Sequence, residues 1–114
     1  MMKIVREFIS TKQFDSQWES LGLSDNDLRE LQMTLLENPK AGAVIRGTGR
    51  LRKMRFNYGN RGKSHCARIC YVDFEFHEKT YLIMVFAKNE MENLTQLERN
   101  NIKRFIDKIE QILC

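Results

Sequence analysis

The run from Tyr81 to Ala87 is the feature that most limits what this chain can fold into. All seven residues are apolar. A strand that is apolar on both faces must be covered on both faces, so the run predicts a central strand of a sheet. It is also the longest apolar run in the chain, and a bilayer span needs about 20 such residues. We therefore expect no membrane-spanning segment.

Two helices are predicted before this strand. Ser10 or Thr11 can cap a first helix that ends at Gly22. Ser24 can cap a second helix, which Asn38-Pro39 terminates because the residue before proline disfavours helical backbone. Their apolar stripes are Phe14, Trp18 and Leu21 in the first helix, and Leu28, Leu31, Leu35 and Leu36 in the second.

A third helix is predicted at the C-terminal end. Thr95 and Glu98 have the spacing of a capping box. The apolar stripe behind them consists of Ile102, Phe105, Ile106, Ile109 and Leu113.

Four further segments have the pattern of strands. They are Ile4–Phe8, a short piece at Ala43–Ile45, Leu51–Tyr58 and Ala67–Phe76. In the third of these, apolar and polar residues alternate, as in a strand that is buried on one face. Met54, Phe56 and Tyr58 form its apolar side, and Lys53, Arg55 and Asn57 form its polar side. The chain is thus predicted to form one α+β domain over residues 1–114, with a small, mainly antiparallel sheet.

The charges are distributed unevenly. Lysine and arginine number 19 and acidic residues 15, for a formal net charge of +4. Between Glu37 and Asp73 there is no acidic residue. Like charges gathered in this way repel one another, which favours a polyanionic partner, nucleic acid first among them. The alternative is a solvated surface that acids from elsewhere in the fold neutralise. The basic residues of this segment are Lys40, Arg46, Arg50, Arg52, Lys53, Arg55, Arg61, Lys63 and Arg68.

The predicted strands bring several cations together. Lys53 and Arg55 share one strand face, and Arg68 lies beside them if the next strand pairs with theirs. Lys88 follows the last strand and is expected on the same side as Leu82, Met84 and Phe86. Such a group could stabilise the transition state of phosphoryl transfer or simply hold a phosphate, and the spacing leaves both readings open.

No metal or cofactor is expected. The basic segment lacks the carboxylates that bind Mg²⁺, and His65, Cys66 and Cys70 supply only three potential zinc ligands. An odd number of cysteines, three, is typical of a reducing compartment rather than of a disulfide framework. The N-terminus has no pattern of a secretory signal, so we expect a cytoplasmic protein.

Two further side chains have open roles. His65, in a polar loop, could act as a general acid or base, or it could contact only phosphate or solvent. Tyr71 could stack on a base, or it could serve only in packing.

The motifs of the chain, taken in order, resemble one protein family. The matching pieces are ENPKAG at 37–42, VIxGTG at 44–49, LRKMR at 51–55, RGK at 61–63, ARxxY at 67–71, AKNE at 87–90 and LT at 94–95. Their order and spacing, over nearly the whole chain, resemble the RelE/ParE toxin superfamily and specifically its HigB/RelE-like mRNA interferase branch.

The resemblance implies a RelE-like fold and the toxin of a type II toxin–antitoxin pair. Such toxins cleave messenger RNA on the ribosome without a metal, by attack of the 2′-hydroxyl on the adjacent phosphate. By position, the resemblance implies catalytic roles for Lys53, Arg55, Arg68 and Lys88. The expected RNA contacts are Arg50, Arg52, Arg61, Lys63, His65 and Tyr71. The expected partners are the ribosome, messenger RNA and a cognate antitoxin, commonly a helix-turn-helix protein like HigA.

Two departures from the family pattern leave questions open. His65-Cys66 stand where relatives often carry glycines, and no tyrosine follows Tyr81 to stack on the substrate base. Base stacking would then fall to Tyr71 or Phe86. Two other functions remain as alternatives: a ParE-like toxin that targets gyrase on the same fold, and a non-catalytic RNA- or DNA-binding module.

Overall fold

A five-stranded sheet with helices on both faces organises the protein. The computed structural model describes residues 4–58, 66–87 and 94–114. The elements are β1 (Glu7–Ser10), α1 (Lys12–Ser20), α2 (Asp25–Glu37), β2 (Ala43–Val44), β3 (Arg52–Asn57), β4 (Cys66–Phe74), β5 (Lys79–Ala87) and α3 (Gln96–Leu113), with a 3₁₀ turn at Glu75–His77. The strand order is β1-β5-β4-β3-β2. Strand β1 is parallel to β5 and the other pairs are antiparallel, which confirms the predicted α+β fold.

Strand β5 is the central, two-sided strand that its sequence predicts. It lies between β1 and β4, and its residues from Leu82 to Phe86 are buried. Each face of the sheet has its own core. The core under α1 and α2 contains Phe14, Trp18, Leu31, Leu35, Phe56, Ile69, Tyr71, Leu82 and Val85. The core under α3 contains Leu51, Cys70, Val72, Phe74, Ile83, Met84, Phe86, Ile106 and Ile109.

An irregularity in the β4–β5 pairing changes which residues share a face. Cys70 pairs with Met84 and Tyr71 with Leu82, so Ile83 is left without a partner in the register. This extra residue reverses the alternation of side chains along β5. Leu82 therefore belongs to the core under α1 and α2, whereas Met84 and Phe86 belong to the core under α3. The predicted common side for Leu82, Met84 and Phe86 is wrong for Leu82.

The predicted helix caps are confirmed. The Thr11 hydroxyl accepts from the Phe14 N–H at 3.0 Å, and Ser24 forms a reciprocal capping box with Asp27. Thr95 and Glu98 form the predicted capping box of α3. Each cap satisfies N–H groups that have no partner inside the helix.

Three predictions of detail are wrong. The first strand is Glu7–Ser10 rather than Ile4–Phe8, because these are the residues that pair with β5. Strand β4 ends at Phe74 instead of Phe76, since the chain there enters the 3₁₀ turn. Phe105 was expected on the buried stripe of α3, but 43% of it is exposed.

Among the described helices, none combines the length and the apolar composition that crossing a bilayer requires.

The loop that leads into β2 passes unusually close to β3. A Cβ atom placed on Gly42 would lie 2.8 Å from the carbonyl oxygen of Lys53, closer than packed atoms tolerate. The Gly42 N–H donates to the Tyr71 hydroxyl at 2.9 Å, and its carbonyl accepts from Arg52 Nη1 at 2.6 Å. The missing side chain thus lets the loop dock on the sheet.

We expect Gly42→Ala to lower the free energy of unfolding by about 1–3 kcal/mol, because the added methyl group forces backbone apart in a packed region. Urea denaturation followed by circular dichroism measures the effect. Lys40→Ala, at an exposed position in the same loop, is the matched control and should leave the unfolding midpoint unchanged. Equal midpoints for both variants would contradict the close packing at Gly42.

Candidate nucleic-acid interface

Three of the predicted catalytic residues meet on one face of the sheet. In the β3–β4 register Arg55 lies directly opposite Arg68, and Lys53 lies one pleat along the same face, opposite Cys70. This is the face that α3 partly covers, since Leu51 and Cys70 on it pack against that helix. We call Lys53, Arg55 and Arg68 the strand cations. The predicted neighbourhood of these three residues is confirmed.

The strand cations lie next to buried apolar residues of β5. Arg68 pairs across the sheet with Phe86, and Cys70 pairs with Met84. Both Phe86 and Met84 are buried. Charges beside low-dielectric protein are screened less than charges in open water, so an anion that reaches this face is attracted more strongly.

None of the ion pairs among the described residues includes a strand cation. Arg55 is exposed, and Lys53 and Arg68 are half-buried. Arg68 Nη1 donates to the Sγ atom of Cys66 at 3.1 Å, which holds the guanidinium near the start of β4. Arg55 also lines an open groove of about 690 Å³ between α2 and β3. Within residues 4–58, 66–87 and 94–114, no carboxylate thus neutralises the strand cations.

The arrangement is suited to a phosphate. Guanidinium groups donate pairs of parallel hydrogen bonds to phosphate oxygens, and an ammonium adds a compact positive charge. Three such groups around one phosphate would also stabilise the extra negative charge of a pentacovalent transition state. An arginine cannot accept a proton, so neither Arg55 nor Arg68 can be the general base.

Two of the predicted RNA contacts lie away from the strand cations and have partners within the protein. Arg50 Nη1 forms an ion pair with Glu110 at 3.3 Å, and its guanidinium lies 4.8 Å from the centre of the Phe74 ring. Arg52 donates to the carbonyl of Gly42. Both arginines line a separate pocket beside the start of β3.

The predicted contact between Tyr71 and RNA is contradicted by burial. The side chain is 0% exposed, and its ring packs in the core under α1 and α2. Its hydroxyl donates to the Pro39 carbonyl and accepts from the Gly42 N–H, both at 2.9 Å. Burial raises the pKa of Tyr71, so the hydroxyl stays protonated. The hydrogen bond from Gly42 and the charge of Arg52 lower the pKa, but burial has the larger effect. Phe86, the other stacking candidate, is also buried.

Lys88, Arg61, Lys63 and His65 lie outside the described residues.

No set of three potential metal ligands comes together within residues 4–58, 66–87 and 94–114. Cys70 is buried, and burial raises the pKa of its thiol to about 12, while the nearby charge of Lys53 acts in the opposite direction. Its side chain is thus a neutral part of the core under α3.

Sequence reasoning missed two features. One is a partly buried hydrogen-bond network around Asp73. Its carboxylate accepts from Arg6 Nε at 2.7 Å and from the Thr80 hydroxyl at 2.8 Å. The other is Phe76, which the sequence pattern places in a strand but which is 94% exposed in the 3₁₀ turn. The polar neighbours of Phe76, Glu75 and His77-Glu78, were the available signal of a turn.

No known protein-family model matches this chain.

We expect Tyr71→Phe to lower the free energy of unfolding by about 1–3 kcal/mol, because it leaves the buried Gly42 N–H without an acceptor. Chemical denaturation measures the change. Tyr81→Phe is the matched control, since the Tyr81 hydroxyl has no hydrogen-bond partner among the described residues. A variant as stable as the wild type would show that the tyrosine hydroxyl does not anchor the loop.

We expect the native protein to be alkylated by iodoacetamide at pH 8 on the exposed Cys114 but not on Cys70. The thiolate is the reactive form, and a pKa of about 12 leaves almost none of it at that pH. Peptide mass spectrometry of native and urea-unfolded samples identifies the modified residues. Alkylation of Cys70 in the native sample at the rate of Cys114 would contradict its burial.

Proposed function

We propose that the protein is the toxin of a type II toxin–antitoxin pair and a ribosome-dependent, metal-independent endoribonuclease that cleaves messenger RNA. The observation that carries the proposal is the placement of Lys53, Arg55 and Arg68 on one sheet face, in reach of an anion and without acidic partners among the described residues. The resemblance of the ordered motifs to the HigB/RelE-like branch supports it independently.

The chemistry follows from the substrate. The 2′-hydroxyl of the RNA attacks the adjacent phosphorus, so a 2′-O–P bond forms and the P–O5′ bond breaks. The proton of the 2′-hydroxyl passes to a base or to water, and the departing O5′ takes a proton from an acid or from water, which yields a 2′,3′-cyclic phosphate and a 5′-hydroxyl. Arg55 and Arg68 stabilise the charge on the phosphoryl oxygens, and Lys53 binds the same phosphate. Lys88 is a further candidate for proton donation.

A toxin of this kind needs partners. Its substrate is messenger RNA in the ribosome, which places its activity in the cytoplasm. A cognate antitoxin, proposed to be a helix-turn-helix protein like HigA, keeps it inactive in the host. The strand cations are a suitable target for an acidic antitoxin segment as well as for RNA, because both present negative charge to the same face.

We expect Arg68→Ala to reduce cleavage of translated messenger RNA by roughly 10²- to 10³-fold, the usual loss when one donor to a charged transition state is removed. Primer extension in a translating extract, with equal amounts of wild type and variant, measures the cuts and their positions. Arg55→Ala should behave similarly. Arg104→Ala, an exposed arginine on α3, is the matched control and should cleave like the wild type.

Other outcomes assign a different function. Cleavage that is unchanged in both the Arg55 and Arg68 variants would mean that the strand cations are not the site. Arrested growth with intact messenger RNA would favour a ParE-like toxin that targets gyrase. Salt-dependent binding of RNA or DNA without cleavage would favour a non-catalytic module.

A further inference from the structure

The 3₁₀ turn between β4 and β5 presents an aromatic ring to solvent. Phe76 is 94% exposed, the largest exposed fraction among the large apolar side chains of the described residues. The turn ends at Glu78, whose φ of 53° reverses the chain into β5. The ring makes no ring–ring or cation–π contact with another described residue. Phe76 therefore contributes little to the core, and its exposure costs hydration free energy that the fold does not recover.

The ring stands beside a basic pocket. This pocket, of about 260 Å³, is lined by Lys40, Arg50, Arg52 and Phe76, with Val44, Gly49, Asp73 and Glu75 completing it. The Asp73 carboxylate is engaged by Arg6 and Thr80, and Arg50 is paired with Glu110. Lys40 and Arg52 therefore remain as the cations of the pocket, and Glu75 is the acid that opposes them. Lys40 is exposed and has no side-chain partner among the described residues.

An exposed aromatic ring next to cations has the composition of a surface that binds single-stranded nucleic acid. Every base has a face that can stack on an aromatic ring, and cations hold the backbone that links the bases. A protein partner would also cover an exposed phenylalanine, but Lys40 and Arg52, which form no ion pair with a described residue, favour a polyanion.

We propose that Phe76 and its pocket form a nucleotide subsite for single-stranded RNA. A base stacks on the Phe76 ring, and the phosphate of that nucleotide contacts Lys40 and the arginines that line the pocket. The choice of RNA as the ligand rests on the proposed function. The subsite would bind a nucleotide of the substrate that is not part of the cleaved bond. The subsite also supplies the stacking aromatic that neither Tyr71 nor Phe86 provides.

The position of the subsite relative to the strand cations fits one RNA strand. Arg52 lines the pocket, and the strand cation Arg55 lies three positions further along β3, about 10 Å of backbone away. Strand β2 pairs with Arg52 and Lys53, and from Met54 onward β3 has no neighbour on that side among the described strands. An RNA strand that contacts both sites crosses this side of β3 within a few nucleotides.

The test is the binding of a single-stranded RNA of about 12 nucleotides, a length within the range of single-strand binding sites. The RNA carries 2′-O-methyl groups so that it binds without being cleaved. Fluorescence anisotropy at several salt concentrations gives the Kd of each protein. The proteins compared are the wild type, Phe76→Ala, Phe76→Leu, Phe76→Trp and Lys40→Ala. Leu97→Ala is the matched control, because Leu97 is an exposed apolar residue that lies away from the pocket. It is at the start of α3, whereas Glu110, the partner of Arg50, is near the end of that helix.

We expect Phe76→Ala and Phe76→Leu to weaken binding roughly 5- to 150-fold, the range for loss of one base–aromatic stack, with an unchanged salt slope. Phe76→Trp should bind at least as tightly as the wild type, and RNA should quench its new indole, since the native Trp18 is buried. Lys40→Ala should reduce the salt slope by about 0.7, as for one lost phosphate contact. All variants should unfold at the wild-type midpoint because these side chains are exposed.

Wild-type affinity in Phe76→Ala, an unquenched indole in Phe76→Trp, or no RNA binding by the wild type would each overturn the subsite. Quenching by a protein partner but not by RNA would assign Phe76 to a protein interface instead. The two proposals fail separately. If Arg68→Ala cleaves normally while binding depends on Phe76, the subsite stands without the catalytic assignment, and the reverse result leaves the catalytic assignment standing alone.

Discussion

Arg55 and Arg68 lie directly opposite each other on neighbouring strands, and the rest of the structure must hold this repulsive pair in place. Like charges in such a cross-strand pair destabilise a sheet. The cost is offset locally, because Ala67 and Ile69, which flank Arg68, are fully buried in the core under α1 and α2. Burial on one face of β4 thus fixes the positions of the charges on the other face. An anion that bound between the two guanidinium groups would offset this repulsion.

A second constraint sorts the remaining cations. The buried hydroxyl of Tyr71 ties the loop at Pro39 and Gly42 to the sheet, and the Gly42 carbonyl in turn holds Arg52. Arg50 is drawn toward α3 by Glu110. The described cations of the acid-free segment therefore fall into separate groups. The strand cations lie on the sheet face under α3, and Arg50 and Arg52 line a pocket beside the start of β3, where Tyr71 holds the loop that binds Arg52.

The sequence was sufficient for the features that depend on local patterns. Caps at Thr11, Ser24 and Thr95 and the alternation along β3 are read from neighbouring residues, and the Arg55–Arg68 pairing follows once two adjacent strands are recognised. Features set by tertiary contacts were not predictable in this way. The irregularity opposite Cys70 and Tyr71 arises from pairing between distant strands, and the burial of Tyr71 depends on where the loop at Pro39 docks. Phe76 looked like a strand residue because alternation with Phe74 continues past the point where the chain turns.

Both proposed sites require the same state of the RNA. Attack by a 2′-hydroxyl needs the sugar and the adjacent phosphate to approach an in-line geometry, which the regular backbone of a duplex opposes. Stacking on Phe76 needs a base whose face is not already covered by its neighbours. A single strand that crosses β3 can meet both requirements, because the turn at Phe76 would withdraw one base from the stack while the strand cations hold a phosphate a few nucleotides away. Binding energy gained at the pocket would then be available to distort the backbone where the bond is cut.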